Sequence, residues 1–183
     1  MTRLFDILFS ALGLIILLPI LVILYLLGLK DTGSPIFKQE RVGKNLSPFV
    51  LVKFRTMAVH TQSVATHLAN QNDVTPLGQI KKKSKLDELP QLWNVLKGDM
   101  SLVGPRPNLF TQSELIHLRQ QYNVYSVRPG ITGLAQINNI DMSNPTILAQ
   151  TDAQMIATFS LKKYFSYIFL TIFGKGQGDN ITL

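Results

Sequence analysis

Residues 84–107 read SKLDELPQLWNVLKGDMSLVGPRP, and the rest of the chain is organised around this stretch. Within it, four apolar side chains recur at the i, i+3, i+4, i+7 spacing of one helix face: Leu89, Leu92, Trp93 and Leu96. Lys97 followed by Gly98 is typical of a helix C-terminus. The spacing therefore predicts a short amphipathic helix, with the carboxylates of Asp87 and Glu88 at its N-terminus.

The two adjacent carboxylates have an ordinary structural explanation. The free N–H groups and the dipole of a helix N-terminus favour negative charge, and Ser84 stands three residues before Asp87, as in a capping box. The stretch ends in Pro105-Arg106-Pro107, where two prolines fix the backbone on either side of an arginine. Taken singly, a carboxylate pair is most often a cap, and such an arginine is most often a solvated charge.

Taken together, these residues are similar to the signature of the bacterial sugar transferases, the monotopic polyprenyl-phosphate phosphoglycosyl transferases. The similarity covers LDELPQL at residues 86–92 and NVLKGDMSLVGPRP at residues 94–107. Three further stretches also resemble the family: FKQERVG at 37–43, KFRTM at 53–57 and VRPGITGLAQI at 127–137. The length of the match identifies the chain as a member of this family.

The resemblance implies an enzyme that transfers sugar 1-phosphate from a UDP-sugar to polyprenyl (undecaprenyl) phosphate and releases UMP. This reaction is the first membrane step of bacterial glycan assembly. Asp87 would attack the donor's β-phosphorus and form an aspartyl phosphosugar, and Glu88 would ligate Mg²⁺. Arg106 would bind phosphate oxygens. The active site is expected on the cytoplasmic face of the bacterial inner membrane.

Four other cations are candidates for phosphate binding: Lys53, Arg55, Lys83 and Arg128. Lys53 and Arg55 are two residues apart on a predicted strand, so their side chains share a face. Lys83 belongs to a run of lysines directly before Asp87, and Arg128 stands beside a Pro-Gly pair in a predicted loop. For each of them, a solvated surface charge is the ordinary alternative.

Residues 7–29 form a stretch of 23 residues without a formal charge. At about 1.5 Å per residue it is long enough to cross a hydrocarbon core of about 30 Å. Pro19 lies near its middle and removes a helix hydrogen bond, which predicts a bend. Basic residues on both sides leave little orientational bias. We expect residues 1–33 to form a re-entrant membrane helix, with a kinked transmembrane helix as the alternative.

The fold predicted for the whole chain is mainly α with a small β-hairpin, in which strands over 35–42 and 48–54 flank a turn. Residues 34–183 would form a compact catalytic domain. Residues 154–173 would form an interfacial amphipathic helix in contact with membrane lipids, followed by a tail over 174–183. A buried core helix is the alternative near this end. Tyr164 stands there where relatives often have Asp.

Composition restricts the class of partner without selecting one. The 183 residues suffice for one domain, contain no cysteine for disulfides or thiolate metal sites, and carry a net charge of +7. Such a charge suits anionic partners, including lipid, phosphorylated substrates and nucleic acid. A membrane-tethered nucleic-acid-binding module is therefore an alternative, but no stacking aromatics interleave with the lysines, and we expect no nucleic acid. An inactive scaffold of the same fold is the other alternative. The sugar and the oligomeric state stay open.

Overall fold

A computed structural model describes residues 2–61, 71–174 and 176. Within these ranges the chain is mainly helical, with a small antiparallel hairpin, as the sequence predicts. The elements are α1 (Thr2–Ile16), α2 (Leu18–Thr32), β1 (Ile36–Val42), β2 (Pro48–Phe54), α3 (Pro76–Lys83), α4 (Gln91–Lys97), β3 (Ser101–Val103), α5 (Ser113–Gln121), β4 (Gly130–Thr132), α6 (Leu134–Ile137), α7 (Pro145–Ala157) and α8 (Leu161–Ile172). Of the predicted C-terminal tail, only Gly174 and Gly176 lie within the described residues.

The apolar N-terminal stretch forms two helices, α1 and α2, that meet at Leu17 and are bent by 63°. Pro19 lies in the first turn of α2, where its missing N–H removes no helix hydrogen bond. The bend predicted from Pro19 is present, but Pro19 stands at the start of the second helix and does not interrupt a continuous one. No single helix in the described part of the chain is long and apolar enough to cross a membrane, but α1 and α2 together meet that criterion as a bent pair.

The first turns of α1 are fixed to the interior of the fold by Asp6. Its buried carboxylate oxygen Oδ1 accepts hydrogen bonds from Ser101 Oγ and the Leu102 N–H, both at 3.0 Å, and from the Tyr164 hydroxyl at 2.8 Å. One acidic side chain of α1 thus connects β3 and α8. Burial, followed by the hydrogen bond to Asp6, raises the pKa of Tyr164, so the hydroxyl stays protonated and donates.

The predicted hairpin is present: β1 and β2 pair antiparallel, with Ile36 opposite Phe54 and Val42 opposite Pro48. Two strands alone are marginally stable in water. Here the side chain of Asn94, on α4, completes the outer edge of β2. Its amide nitrogen donates to the Val50 carbonyl at 2.7 Å, and its amide oxygen accepts from the Val52 N–H at 3.0 Å.

The main apolar core lies between this hairpin, α4, β3, α7 and α8, and its buried members are Phe49, Leu51, Val95, Met100, Leu102, Val103, Met155, Tyr164 and Tyr167. A second cluster lies where α5, α6 and α7 meet, and contains Leu115, Ala135, Leu148 and Ala149. The first cluster packs the helices against the strands, and the second packs α5, α6 and α7 against one another.

The C-terminal helix differs in extent from the prediction. Residues 154–157 complete α7, and α8 begins only at Leu161, after Ser160, whose hydroxyl accepts from the Lys163 N–H at 3.2 Å. Ser160 is an N-cap inside the predicted helix, because its side chain competes with helix continuation and favours a new start.

The helix α8 is buried on one side, as in the core-helix alternative, and exposes aromatic side chains on the other. Tyr164 and Tyr167 are buried in the core, whereas Phe165 and Phe169 on the same helix are exposed. Phe165 also packs edge-on against Phe5 of α1, with ring centroids 5.2 Å apart. The exposed aromatic surface of α8 is therefore continuous with that of the N-terminal helices.

A buried ion pair connects α5 to α7. Arg119 Nη2 and Nε donate to Asp152 Oδ2 at 2.7 and 3.0 Å, and both side chains are almost fully buried. Burial raises the pKa of Asp152, and the charge and hydrogen bonds of Arg119 oppose that rise. Each group depends on the other for compensation of its charge.

Replacing Asp152 should therefore be strongly destabilising. Asp152→Asn leaves the Arg119 guanidinium buried without a countercharge, which we expect to lower the free energy of unfolding by about 3 kcal/mol or more. Lys97→Gln is the control, since Lys97 is mostly exposed beside Asp99, and such pairs contribute about 0–1 kcal/mol. Denaturant unfolding in detergent micelles measures both. Equal midpoints for the two variants would contradict the assignment.

Candidate active site

The predicted capping role of Ser84 is wrong. Its hydroxyl donates to the carbonyl oxygens of Ile80 at 2.7 Å and Lys81 at 3.2 Å, so Ser84 closes α3 instead of opening α4. The chain then turns at Lys85, a non-glycine residue with φ 56°. The sequence predicts a single helix start in this region, but the backbone reverses there first.

Asp87 and Glu88 lie in a 3₁₀ turn, Leu86–Glu88, that directly precedes α4. Pro90 is the first flanking residue of that helix, so the carboxylates stand before its N-terminus and outside its first turn. At the other end, Gly98 adopts φ 103° and its N–H binds the carbonyls of Asn94 and Val95, as predicted for a glycine stop.

The apolar stripe of α4 faces the N-terminal helices. Leu92 lies against Gly13 of α1, where a Cβ added to the glycine would stand 3.2 Å from Leu92 Cδ1. Trp93 is 56% exposed beside the bend between α1 and α2. The side of α4 that is buried in the core instead carries Gln91, Asn94 and Val95. The apolar side of α4 therefore packs against α1, while its other side is buried in the core.

Two of the predicted site residues are in direct contact. Arg106 Nη2 donates to Glu88 Oε1 at 2.9 Å, although the two residues are 18 positions apart in sequence. The neighbouring Asp87 is buried, with 7% of its surface exposed. The side chains of Arg106 and Glu88 retain 24% and 13% exposure, so the pair opens to solvent at one edge. The arrangement places one guanidinium in contact with the carboxylate of Glu88, the residue that directly follows Asp87.

The loop that carries Arg106 is held from both sides. Arg119 Nη1 donates to the Arg106 carbonyl at 2.9 Å, and Arg41 Nη1 donates to the Pro107 carbonyl at 3.2 Å. Both arginines are themselves buried, and the Val42 N–H binds the Asn108 carbonyl at 2.9 Å. The position of Arg106 is thus fixed through its backbone. These contacts hold the backbone and do not involve the Arg106 guanidinium, which contacts Glu88.

Close contact between two glycines fixes the base of the same loop. The parallel strands β3 and β4 pair Ser101 with Gly130, and a Cβ added at Gly130 would stand 2.0 Å from the Gly104 nitrogen. Glycine is required there because any side chain would collide with backbone atoms. The motifs around Arg106 and Arg128, far apart in sequence, therefore meet at this pair of strands.

Lys81 is a cation that the sequence did not single out. It is almost completely buried, and its ammonium donates to the Arg55 carbonyl. Burial lowers the pKa of Lys81, and the nearby negative charges of Asp31 and Asp87 oppose that effect. Asp31, at the end of α2, accepts a hydrogen bond from the Thr75 hydroxyl at 2.7 Å. Lys81 thus lies between the N-terminal helices and Asp87.

Lys85 also belongs to the site. Burial lowers its pKa, the carboxylate of Glu88 raises it, and the charge of Arg106 lowers it further, so Lys85 lies within the electric field of both. The sequence placed Lys85 in a run of lysines that is usually a solvated face. Its position just before Asp87 in the sequence indicated a role in the site. The left-handed backbone conformation of Lys85 could not be predicted from the sequence.

Lys53 and Arg55 share a face of β2, as predicted, and both lie over the ring of Phe37, at 5.5 and 5.4 Å from its centroid. Arg55 Nε also donates to the Ser34 carbonyl at 2.8 Å. The side chains are thus directed to the β1 strand and the linker after α2, and the carbonyl of Arg55 is what contacts Lys81. Their phosphate-binding role stays a prediction.

The other two predicted cations are placed differently. Arg128 Nε donates to the Gly98 carbonyl at 2.9 Å, at the end of α4 opposite to Asp87. There it lines a cavity of about 380 Å³ together with Lys44. Lys83 is exposed in the last turn of α3. The structure therefore does not bring Arg128 to the carboxylate pair, and the phosphate-binding role of both residues also stays a prediction.

The donor set can be compared with what Mg²⁺ requires. In the described part of the chain, no group of three or more His, Cys, Asp or Glu side chains is placed to hold a metal ion. Mg²⁺ is commonly bound by one or two carboxylates together with substrate phosphates and water. The adjacent carboxylates of Asp87 and Glu88 fit binding by one or two carboxylates together with substrate phosphates and water.

Comparison with known proteins agrees with the resemblance stated above. The family model described as "Bacterial sugar transferase" matches residues 1–176. The chain is 40% identical over 182 residues to the "UDP-glucose:undecaprenyl-phosphate glucose-1-phosphate transferase" of Klebsiella pneumoniae, covering 93% of this chain and 39% of that protein. It is 36% identical over 189 residues to the "UDP-galactose-lipid carrier transferase" of Erwinia amylovora, covering 93% and 39%.

A shorter relative is matched over more of its length. The "UDP-glucose:undecaprenyl-phosphate glucose-1-phosphate transferase" of Caulobacter vibrioides is 34% identical over 180 residues, covering 93% of this chain and 67% of that protein. The chain spans about two fifths of the length of the first two relatives. The shared region contains both the N-terminal helices and the site around Asp87.

A substitution at the glycine contact tests how the loop is held. Gly130→Ala forces β3 and β4 apart because its Cβ would meet backbone atoms, and we expect the free energy of unfolding to fall by about 2–3 kcal/mol. Gly13→Ala is the control, since its Cβ would contact only the flexible end of Leu92. Thermal unfolding of both variants measures the difference. A larger loss for Gly13→Ala would contradict this account of the loop.

Proposed function

Since the chain belongs to the bacterial sugar transferase family, we propose that it transfers sugar 1-phosphate from a UDP-sugar to polyprenyl phosphate and releases UMP. The names of the relatives from Klebsiella pneumoniae and Caulobacter vibrioides support this reaction class. The observation that carries the proposal is the contact of Arg106 with Glu88 at 2.9 Å, in the same turn as the buried Asp87. A nucleophile and an anion-binding fork are thereby present in one place.

The reaction proceeds in two displacements at one phosphorus atom. A carboxylate oxygen of Asp87 attacks the β-phosphorus of the donor, and the bond from that phosphorus to the bridging oxygen breaks. UMP leaves with the bridging oxygen and its electron pair. A phosphate oxygen of the acceptor then attacks the same phosphorus and expels the Asp87 carboxylate. The product is a sugar joined to the polyprenol through a diphosphate, and Asp87 is restored.

The cations around the carboxylates position the donor's diphosphate. Arg106 exchanges Glu88 for phosphate oxygens, a change that its fixed backbone and half-open side chain allow. Lys85 supplies a second positive charge from the turn before Asp87. Lys81 is buried and bound to the Arg55 carbonyl, so it acts on the Asp87 side of the site without contacting bulk solvent. Fixed charges of this kind lower the barrier without reorganisation.

The carboxylate of Glu88, with the donor's phosphate oxygens, would hold Mg²⁺. When bound, the ion neutralises the charge on the diphosphate. The donor set of Asp87 and Glu88 supports this assignment because it offers the hard oxygen ligands that the ion prefers. Glu88 Oε1, which accepts from Arg106 in this structure, would be available to the ion once Arg106 binds phosphate.

We propose that α1 and α2 enter the membrane and return to the same face. Both ends of the helix pair are bound to the same part of the fold. Near the start of α1, Arg3 Nη2 donates to the Leu96 carbonyl at 2.9 Å; near the end of α2, Asp31 accepts from Thr75 at 2.7 Å. The 63° bend and the exposed apolar side chains between these ends support a re-entrant path.

The orientation of the site follows from this path. The exposed apolar residues of α8, which include Phe169 and Ile172, would lie in the headgroup region next to α1. Since UDP-sugars are made in the cytosol, we place the active site on the cytoplasmic face of the inner membrane. The donor then arrives from water and the acceptor from the bilayer.

Replacing the proposed nucleophile tests the covalent step of the reaction. We expect Asp87→Asn to lower UMP release by about three orders of magnitude or more, with and without polyprenyl phosphate, because an amide cannot replace the carboxylate that forms the covalent intermediate. Asp141→Asn, in the turn before α7, is the control and should release UMP normally. A panel of UDP-sugars assayed with the detergent-solubilised protein and Mg²⁺ provides the measurement. Normal turnover by Asp87→Asn would exclude the covalent scheme.

Arg106→Lys keeps the positive charge and loses the fork of parallel donors. We expect the KM for the UDP-sugar to rise roughly tenfold, the loss that corresponds to one charge-assisted hydrogen bond. Lys97→Gln, an exposed change at the far end of α4, should leave that KM unchanged. Steady-state UMP release measures both values. If Arg106→Lys matched the unsubstituted protein, Arg106 would have no part in donor binding.

A further inference from the structure

A second cavity, of about 340 Å³, lies inside the angle formed by the two N-terminal helices. One wall is formed by α1 and α2, the second by one face of the β-hairpin, and the third by the start of α4. The lining residues are apolar or aromatic and carry no formal charge: Leu14, Leu21, Val22, Tyr25, Ile36, Val52, Phe54, Pro90 and Trp93. The cavity is distinct from the one that Arg128 lines.

The chemistry of this lining selects the class of ligand. A sugar, a nucleotide or a phosphate would lose its hydrogen bonds to water in such a cavity, where Tyr25 and Trp93 are the lining side chains with a polar group, at a cost of several kcal/mol for each polar group left unpaired. A hydrocarbon chain would instead gain from burial in it. The donor of the proposed reaction is polar throughout, so it does not fit here. The cavity suits an apolar chain.

The position of the cavity connects that chain to the active site. Pro90 lines the cavity and is only three residues after Asp87, with Glu88 and Leu89 between them. On the opposite side, the cavity is bordered by side chains that are about half exposed, among them Val22 and Trp93. If α1 and α2 lie in the membrane, this border faces lipid. In that case the cavity has one border at the bilayer, and Pro90 in its wall belongs to the chain segment that directly follows the carboxylate turn.

The charges around the carboxylate turn, three residues before Pro90, indicate the head of the ligand. Beside Asp87 and Glu88 lie three cations, Lys81, Lys85 and Arg106, which favour an anionic group at that point. A ligand that satisfies both regions has a phosphate head and a hydrocarbon tail. A nucleotide sugar has no such tail, whereas a lipid phosphate has both parts.

We propose that this cavity binds the first isoprene units of the polyprenyl phosphate acceptor and thereby directs its phosphate to Asp87. The inference rests on the proposed function and specifies where the acceptor binds. The acceptor enters sideways between α2 and Trp93, and its chain continues into the bilayer. The donor's route from water stays open because it uses the other side of the carboxylate turn.

Two phenylalanine substitutions on α2 test the inference. Val22→Phe adds bulk inside the cavity, whereas Ile23→Phe adds a similar ring to the next position, which is exposed and does not line it. We expect Val22→Phe to raise the KM for polyprenyl phosphate roughly tenfold, as losing the burial of about two methylene groups would. Ile23→Phe should leave that KM unchanged. Both variants should release UMP normally in the first half-reaction, measured without acceptor.

Trp93 gives a direct measurement of occupancy, because it is the single tryptophan of the chain and lines the cavity. Undecaprenyl phosphate added to the protein in detergent micelles should shift the emission of Trp93 saturably. Dioleoyl phosphatidic acid, with the same phosphate and two acyl chains, should do so only at roughly tenfold higher concentration or more. Val22→Phe should weaken the response to undecaprenyl phosphate, and Ile23→Phe should not.

The outcomes separate this inference from the proposed function. If UMP is released normally while the acceptor KM of Val22→Phe is unchanged, the cavity does not bind the acceptor and the transfer reaction stands. An equal response of Trp93 to phosphatidic acid and undecaprenyl phosphate would show a general lipid site and would also overturn the inference. If no UDP-sugar yields UMP, the proposed function fails, and the emission titration alone decides whether the cavity binds prenyl phosphate.

Discussion

The side chain of Asn94 determines which face of α4 is turned to the N-terminal helices. By binding the Val50 carbonyl and the Val52 N–H, it attaches α4 to the edge of the hairpin, as a neighbouring strand would. One side of α4 is therefore committed to the core. Its apolar stripe, with Leu92 and Trp93, must then face the N-terminal helices. The carboxylates that precede α4 are consequently held close to where α4 meets the N-terminal helices.

The site combines a fixed backbone with a charged side chain that can change partners. The backbone of the Arg106 loop is fixed by Arg119 and Arg41, while its guanidinium stays at a half-open edge with Glu88. A rigid loop with an exchangeable charged end suits a site that binds and releases anions. Asp87 is buried, and Pro90, three residues later, lines the apolar cavity, so under the proposed function a water-soluble donor and a lipid acceptor would approach the carboxylate turn from different sides.

Local patterns in the sequence predicted local features well. The hairpin follows from alternation around a turn, the bend in the N-terminal helices from Pro19, and the end of α4 from Gly98. Features that depend on distant parts of the chain were missed. The burial of Lys81 depends on the carbonyl of Arg55 and on Asp31, and Ser84 closes α3 because the backbone reverses at Lys85.

The central claim is that Asp87 forms a covalent bond to phosphorus, and intact-protein mass spectrometry tests it most directly. After incubation with its UDP-sugar and Mg²⁺ but no acceptor, the protein should gain the mass of one sugar phosphate. Peptide mapping should place that mass on Asp87, and polyprenyl phosphate should remove it. UMP release without any adduct on the chain, or an adduct on a residue other than Asp87, would contradict the account.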